Sequence, residues 1–324
     1  MRIVTYRDDA GAPRPGAVTP DGERIVDLRA VAADTLTLLE AGETALTAAR
    51  RLVETAAADS GPPLAAVALL SPLPRPASIR EAMGFEQHLI NLTRQRLGPL
   101  GALDERLARF TGNRRSVAGR LNTAFYRQPP YYKANPHSVV GTGTEVRIPP
   151  YSQWFDYELE WGVYIGKRGT DIPVERAHEY IAGYTIFNDF SARDVQRREM
   201  GGRLGPAKGK DFDTGNAIGP WLVTPDELAD PYDLTMTARV DGVEWSRGNT
   251  GEAHYRFEDL IAYMSRSETL YPGDFIGSGT CSGAQGRGCG LELGRPLRPG
   301  TVVELEVEGI GVLRNRVVAA TPAG

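Results

Sequence analysis

The feature that most constrains this chain is a short run in which acidic and large apolar residues alternate, WFDYELEWGVYIG, at residues 154–166. Asp156, Glu158 and Glu160 take every second position in it. Strand side chains alternate between two faces and each residue advances about 3.3 Å, so these carboxylates are predicted to share one face about 6 to 7 Å apart. Like charges in that arrangement repel. Water on an exposed sheet face or a bound cation is needed to offset the repulsion.

A second run, at residues 180–196, starts as an apolar strand and becomes polar at Asn188 and Asp189. Asp189 and Ser191 are typical of a helix start and lead into a predicted helix over residues 192–199. Such a junction holds side chains firmly, and carboxylates from both runs would supply oxygen ligands. Oxygen ligands suit Mg²⁺, Mn²⁺ or Ca²⁺, whereas zinc prefers histidine and cysteine. The second run therefore favours a cation site over a solvated acidic face.

Four blocks of the sequence resemble the fumarylacetoacetate hydrolase family in order and spacing: YELEWGVYIGKRG, AHEYIAGYTIFNDFSARDVQ, GKDFDTGNAIGPWLVTPDEL and LYPGDFIGSGTCSG. The resemblance covers roughly residues 79–293. It implies an α+β, β-rich fold whose catalytic domain is a mixed β-roll. It also implies that Glu158, Glu160 and Asp189 hold a divalent metal, first of all Mg²⁺, with Mn²⁺ or Ca²⁺ as alternatives. The implied substrates are 1,3-dicarbonyl compounds or 2-oxo acids.

The same resemblance suggests a fourth metal ligand and a general base. At residues 79–92 the family carries a metal-binding Asp, a Tyr two positions later, and a base His preceded by Gln. Here Gln87 and His88 match, but Glu81 falls at the Asp position and Met83 at the Tyr position. Because Glu is one methylene longer than Asp, Glu81 is still expected to reach the metal.

The carboxylate that orients the base is implied to be Glu292. It falls where the fumarylacetoacetate hydrolases carry that group. Other branches of the family place a Glu three residues after the histidine, and that position here is Asn91. The sequence thus favours the arrangement in which His88 is oriented by the distant Glu292.

Further residues match the family's substrate contacts. The resemblance gives Lys210 a catalytic role and implies that the substrate is held by Tyr132, Arg193, Gln196 and Thr280. Thr280 belongs to the loop GSGTCSG, whose backbone N–H groups are expected to approach a ligand closely. Met200, like Met83, stands where the fumarylacetoacetate hydrolases have a tyrosine.

The expected activity is metal-dependent hydrolysis of a carbon–carbon bond in an acylpyruvate or fumarylacetoacetate-like substrate. In that scheme His88 activates water, and Lys210, Arg193 and Gln196 stabilise the enolate that leaves. The alternative is a 2-oxo acid decarboxylase or keto–enol isomerase with the same metal site, favoured by the two methionines. A metal-stabilised binding or scaffold protein is the third hypothesis, although it has no use for a His–Glu pair.

Composition narrows the class of protein further. The chain has 324 residues, 41% of them hydrophobic, and a formal net charge of -4, so neither nucleic acid nor a membrane is an expected partner. There is no apolar run of membrane-spanning length and no signal-peptide pattern, which predicts a cytoplasmic protein. Cys281 and Cys289 have neither CxxC spacing nor a nearby histidine, and thus predict free thiols and no zinc site.

Two domains are predicted, with a boundary at a Pro-rich connector. Residues 1–70 contain three short strand patterns and a helix pattern over 35–58, with no catalytic cluster. Residues 71–324 form the predicted catalytic domain. The small unit is interpreted as a structural cap or a support for a dimer, and the resemblance implies a homodimer.

The segment at residues 95–124 carries six arginines among leucines and alanines. It is longer than expected at this place in the family. One interpretation is a solvated helical face; the other is a lid that closes over the site and supplies an arginine to an anionic substrate.

Overall fold

The computed structural model describes residues 1–57, 59–283 and 286–320. Its strands are β1 (Arg2–Arg7), β2 (Pro13–Val18), β3 (Ile25–Asp27), β4 (Ile79–Ala82), β5 (Tyr131–Ala134), β6 (Val139–Val140), β7 (Glu145–Arg147), β8 (Phe155–Asp156), β9 (Glu160–Ile165), β10 (Ile181–Asp189), β11 (Ser191–Ala192), β12 (Asn216–Val223), β13 (Thr235–Val240), β14 (Val243–Asn249), β15 (Phe275–Gly277), β16 (Val302–Val307) and β17 (Gly311–Val318). Its α-helices are α1 (Thr35–Glu40), α2 (Gly42–Thr55), α3 (Glu86–Leu97), α4 (Pro99–Thr111), α5 (Val117–Leu121), α6 (Arg193–Gly201), α7 (Phe257–Met264) and α8 (Gly290–Leu293).

A ten-stranded mixed sheet forms the centre of the molecule. Its order is β3-β2-β1-β12-β10-β9-β15-β4-β5, with β6 paired to β12. A five-stranded sheet, β14-β13-β16-β17-β7, packs against it through one apolar core that includes Trp161, Phe257 and Leu305. The expected α+β, β-rich fold is thereby confirmed. The tail forms the predicted hairpin of β16 and β17.

The N-terminal strands β1, β2 and β3 belong to the same sheet as strands from residues 71–324. β1 pairs antiparallel with β12, with Arg2 opposite Val223, and side chains of both regions share an apolar cluster that includes Ile3, Leu222 and Phe275. The predicted helix pattern is split into α1 and α2 at Ala41 and Gly42, and Ala58, where the prediction ended, lies outside the described residues. The division into units 1–70 and 71–324 stays a prediction.

The acidic run is not one continuous strand. β8 ends at Asp156 and β9 begins at Glu160, because the backbone N–H groups between them bond to other parts of the chain. Glu158 N–H donates to Asn188 Oδ1 at 3.0 Å, and Leu159 N–H donates to the Gly288 carbonyl at 2.9 Å. All the acidic side chains of the run are buried, so an exposed, water-covered acidic face is wrong.

In the described ranges, no helix is long and apolar enough to cross a membrane. The helix predicted after Asp189 is present as α6, which runs two residues further than the pattern indicated.

Candidate metal centre and active site

Three carboxylates meet where adjacent strands of the large sheet end. Glu81 lies on β4, Glu160 is the first residue of β9 and Asp189 is the last residue of β10. The sheet order β10-β9-β15-β4 brings these positions together, although they are far apart in sequence. One oxygen from each lies within 4.8 Å of the others, and all three side chains are buried. The structure thus groups three of the four predicted ligands.

Two glycines make room for this cluster. Gly277 stands on β15 between the strands that carry Glu160 and Glu81, and a Cβ there would lie 1.7 Å from Glu81 Oε2. Gly279 has φ of 81°, which a side chain would strain, and its N–H donates to Glu81 Oε1 at 3.0 Å and to Glu160 Oε2 at 3.1 Å. The Gly-rich loop therefore approaches the carboxylates, while its approach to a bound ligand stays a prediction.

The donor set fits a hard divalent cation. Glu81 Oε2 and Asp189 Oδ1 are buried and have no hydrogen-bond partner among the described residues. Burial raises the pKa of Glu81 and Glu160 well above the usual glutamate value, with mutual repulsion as a further cause for Glu160. Unpaired oxygens on crowded carboxylates are the ligands that Mg²⁺, Mn²⁺ or Ca²⁺ takes, and a cation would remove the repulsion.

Glu158, the remaining predicted ligand, lies beside the cluster but is paired with cations. Its Oε2 accepts from Lys210 Nζ at 2.6 Å and its Oε1 lies 2.8 Å from Arg193 Nη1. Burial alone would raise the pKa of Glu158, but Arg193, Lys210 and His88 together lower it. Its role as a ligand stays a prediction.

Lys210 sits inside the site as a buried cation. Its Nζ lies 2.5 Å from Asp189 Oδ2 and bridges that carboxylate to Glu158. Burial favours the neutral amine, yet Asp189 and Glu158 outweigh it and raise the pKa of Lys210. A lysine held in the charged form stabilises negative charge on a substrate but does not act as a base or nucleophile.

The distant His–Glu pair predicted from the resemblance is formed. His88 on α3 and Glu292 on α8 are buried, and Nδ1 of the ring lies 2.5 Å from Glu292 Oε1. Nδ1 therefore carries the proton that Glu292 accepts, which leaves Nε2 as the basic ring nitrogen. This is the arrangement of a general base that is oriented by a carboxylate.

Two further residues hold Glu292, and sequence reasoning missed both roles. Asn91 Nδ2 donates to Glu292 Oε2 at 2.5 Å, and the Ser282 hydroxyl donates to Oε1 at 2.6 Å. Burial raises the pKa of Glu292, but these bonds and the one from His88 outweigh it and lower the pKa overall. Asn91 lies three residues after His88 on one helix, so their shared face was the available signal.

Asp156 has a structural role, which its position in the acidic run did not predict. It accepts from the backbone N–H groups of Gly290 and Leu291 at 2.8 and 2.9 Å, at the start of α8. It also accepts from Arg193 Nε at 2.8 Å. Asp156 therefore ties Arg193 to the short helix that carries Glu292.

The predicted substrate contacts surround the same centre. Tyr132 donates to Asp189 Oδ2 at 2.6 Å, Thr280 Oγ1 lies 3.4 Å from Glu160, and Gln196 accepts from Arg193 at 3.0 Å. Arg193 Nη2 is buried and has no hydrogen-bond partner in the described part of the chain, so it remains available to an anionic substrate. The Met83 side chain is half-buried and Met200 is 52% exposed.

The arginine-rich segment lies next to the base pair. A cleft of about 190 Å³ beside Glu292 and Asn91 is also lined by Gly101, Ala102 and Glu105 of α4. The outward surface of the segment is not purely charged, because it exposes the apolar side chains of Leu100, Leu103, Leu107, Phe110, Val117 and Leu121. Its action as a lid stays a prediction.

The chain was compared with known proteins. The family model described as fumarylacetoacetate (FAA) hydrolase C-terminal matches residues 110–318. The Homo sapiens protein oxaloacetate tautomerase FAHD2A, mitochondrial, is 34% identical over 326 residues, which span 98% of this chain and 92% of that protein. The Xenopus laevis protein oxaloacetate tautomerase fahd2, mitochondrial, is 31% identical over 329 residues, 98% of this chain and 90% of that protein.

Solved structures agree in fold. Fumarylacetoacetate hydrolase from Exiguobacterium antarcticum superposes with a TM-score of 0.75 and 25% identity, covering 98% of this chain and 99% of that one. Maleylpyruvate hydrolase from Sphingobium sp. SYK-6, in complex with manganese(II) and pyruvate, gives a TM-score of 0.73 at 22% identity over 99% of this chain and 100% of that one, a likeness of fold alone. By family model, relatives and fold, this chain belongs to the fumarylacetoacetate hydrolase family.

Proposed function

We propose that this protein is a divalent-metal-dependent enzyme that interconverts the keto and enol forms of a 2-oxo dicarboxylic acid such as oxaloacetate. The observation that carries the proposal is an oriented histidine together with a carboxylate cluster: His88 Nδ1 is held by Glu292, and Glu81, Glu160 and Asp189 each offer an oxygen within 4.8 Å of the others. The choice of tautomerisation is supported by the relatives named oxaloacetate tautomerase, which match 98% of the chain.

The reaction requires a proton to move between a carbon and a carbonyl oxygen. Glu81, Glu160 and Asp189 would hold the cation, which when bound polarises that carbonyl. His88 Nε2 takes the proton from the carbon between the two carbonyl groups, and the same imidazolium returns it to the oxygen. Proton transfer by one base changes neither the atoms nor the charge of the substrate.

Two cations prepare the site for an enolate. Lys210 stays protonated because it faces two carboxylates, and it stabilises the oxygen on which negative charge develops. The unpaired Nη2 of Arg193 would donate a hydrogen bond to a substrate carboxylate. Both arginine and lysine are buried, which strengthens their interaction with an anion relative to water.

A second candidate is the hydrolysis of a carbon–carbon bond in an acylpyruvate. It is favoured by the same His88–Glu292 pair, since an oriented base is what the activation of water requires. In that reaction His88 Nε2 takes a proton from water instead of from carbon.

Three further properties are also proposed: Mg²⁺ as the metal, a homodimer as the assembly and the cytoplasm as the location.

The test is to assay the purified protein with Mg²⁺ or Mn²⁺ on two substrates. Ketonisation of enol-oxaloacetate is followed by its loss of ultraviolet absorption, and cleavage of an acylpyruvate is followed by pyruvate release. We expect the first activity to be the greater and to fall by about a hundredfold in His88→Ala. His137→Ala, which changes an exposed histidine, is the control and should keep its rate.

The two candidates predict different outcomes. Rapid cleavage of the acylpyruvate together with slow ketonisation of enol-oxaloacetate would show that the protein is a hydrolase and not a tautomerase. Turnover that survives complete chelation, or an unchanged rate in His88→Ala, would refute the assignment of the metal and the base.

A further inference from the structure

A second group of potential metal ligands lies at the base pair, apart from the carboxylate cluster. Ligand atoms of His88, Cys289 and Glu292 lie within 4.8 Å of one another, and all three side chains are buried. Cys289 Sγ is 3.8 Å from Glu292 Oε1. The spacing of the cysteines predicted no zinc site, because His88 is far from them in the sequence. Helix α3 brings His88 next to Cys289 in the fold. The fold thus creates a cluster that is invisible in the sequence.

The chemistry of this group differs from that of the carboxylate cluster. It offers nitrogen, sulfur and oxygen, the donor types found in zinc sites, and leaves a fourth position open. Zinc bonds of about 2.0 to 2.3 Å place tetrahedral ligands about 3.3 to 3.5 Å apart. The sulfur–oxygen separation of 3.8 Å is already close to that range, whereas the 2.5 Å between His88 Nδ1 and Glu292 Oε1 has to widen by about 0.8 Å when the ion enters.

The backbone around Cys289 is fixed in place. Cys289 forms an isolated β-bridge with Glu158, and the two residues that follow it are bonded to Asp156. Glu292 is restrained by Asn91 and Ser282. A site built from restrained ligands binds its ion with little loss of conformational entropy.

We propose that His88, Cys289 and Glu292 form an inhibitory Zn²⁺ site. Zinc binding displaces the thiol proton of Cys289 and breaks the His88–Glu292 hydrogen bond. A neutral imidazole has one nitrogen lone pair, so a ring that ligates zinc is protonated on its other nitrogen and cannot accept a proton. The cation therefore stops any reaction in which His88 is the base. The inhibition rests on the proposed function, whereas the metal site itself does not.

Cobalt(II) tests the site directly. The protein is kept in excess Mg²⁺ to occupy the carboxylate cluster and is titrated with Co²⁺. We expect a thiolate-to-cobalt charge-transfer absorption in the wild type and in Cys281→Ser, which changes the other buried thiol. Cys289→Ser, which nearly preserves size, should lose that absorption. Circular dichroism and the unfolding midpoint verify that each variant folds, and Cys289→Ala provides a second version of the test.

Zinc inhibition tests the consequence. In excess Mg²⁺, Cys289→Ser should need about tenfold more zinc, or more, for half-inhibition than the wild type or Cys281→Ser. Because Cys289 takes no part in the proposed reaction, its basal rate should match that of the wild type. A chelator added in an amount that binds the zinc but leaves Mg²⁺ in excess should restore the wild-type rate.

The outcomes separate the two proposals. No charge-transfer absorption in folded wild-type protein, or an equal absorption in Cys289→Ser, would overturn the site. Absorption without inhibition would confirm the site and refute His88 as the base. Equal zinc inhibition in Cys289→Ser and wild type would place the inhibitory ion elsewhere and overturn the inhibitory role.

Discussion

Without metal, this protein should lose stability as the pH rises above the usual titration range of glutamate. Burial holds the pKa of Glu81 and Glu160 far above that range, and the pKa of Asp189 is raised to about 6. The folded protein therefore keeps protons that the unfolded chain has already released. By linkage, the free energy of unfolding falls with pH wherever the native state binds more protons.

The size of this loss of stability follows from the number of protons that the folded protein retains. Glu81 and Glu160 repel each other when both are ionised, so in the metal-free protein the pair keeps at least one proton. One proton corresponds to about 1.4 kcal/mol per pH unit, or about 3 kcal/mol between about pH 5 and pH 7. Glu158 and Glu292, whose pKa values are lowered, affect stability only at lower pH. Saturating Mg²⁺ or Mn²⁺ displaces the proton and should flatten the curve.

Urea unfolding over a pH series measures this slope. Tryptophan fluorescence reports the transition with chelator and then with excess metal, and constant m-values would establish that the unfolded state is unchanged. Glu160→Gln removes the repulsion, so in chelator it should be the more stable protein at neutral pH and should show a shallower slope. Glu23→Gln, at an exposed glutamate, is the control. A slope of zero in metal-free wild type, or an unchanged slope in Glu160→Gln, would refute the explanation.

Three further predictions concern single residues. His88→Ala and Glu292→Ala should each lower turnover by about a hundredfold. The double variant should lose little more activity than the worse single variant. Additive losses would mean that the two residues do not act as a unit. Gly277→Ala should weaken metal binding by about tenfold or more, because its Cβ would displace Glu81. Gly201→Ala, whose new Cβ meets nothing within 4 Å apart from its chain neighbours and its own helix backbone, should bind as the wild type does. Calorimetric titration with Mn²⁺ compares the two variants. Lys210→Met should lower kcat without abolishing metal binding, and an unchanged kcat in steady-state assays would exclude the charge-stabilising role.

Alternation and family motifs predicted much of the fold. The strand that ends at Asp189, helix α6 and the C-terminal hairpin all follow from local patterns that the structure confirms. The gap between β8 and β9 did not follow, because it depends on hydrogen bonds to Asn188 and Gly288, which are distant in sequence. The pairing of β1 with β12 was missed for the same reason. Local periodicity carries no information about which distant strand becomes the neighbour.

The candidate site was likewise predicted only in part from the sequence. The resemblance supplied the partners His88 and Glu292, which the structure brings together, and four candidate ligands, of which Glu81, Glu160 and Asp189 form one cluster and Glu158 does not. It supplied neither the pairing of Glu158 with Lys210 nor the support of Glu292 by Ser282. Those contacts depend on how loops cross the sheet, and a motif does not encode that path. Proximity in space, rather than spacing in sequence, also placed a cysteine at the base.

The candidate ligands Glu81, Glu160 and Asp189 sit on paired strands, whereas His88 and Glu292 sit on helices outside the sheet. Substitutions that reorient α3 or α8 are therefore expected to alter which atom loses a proton without displacing the three candidate ligands. The reaction can thus be changed while the strands that carry the candidate ligands stay the same. A laboratory search for new activities in this protein should accordingly vary the two helices and leave the sheet unchanged.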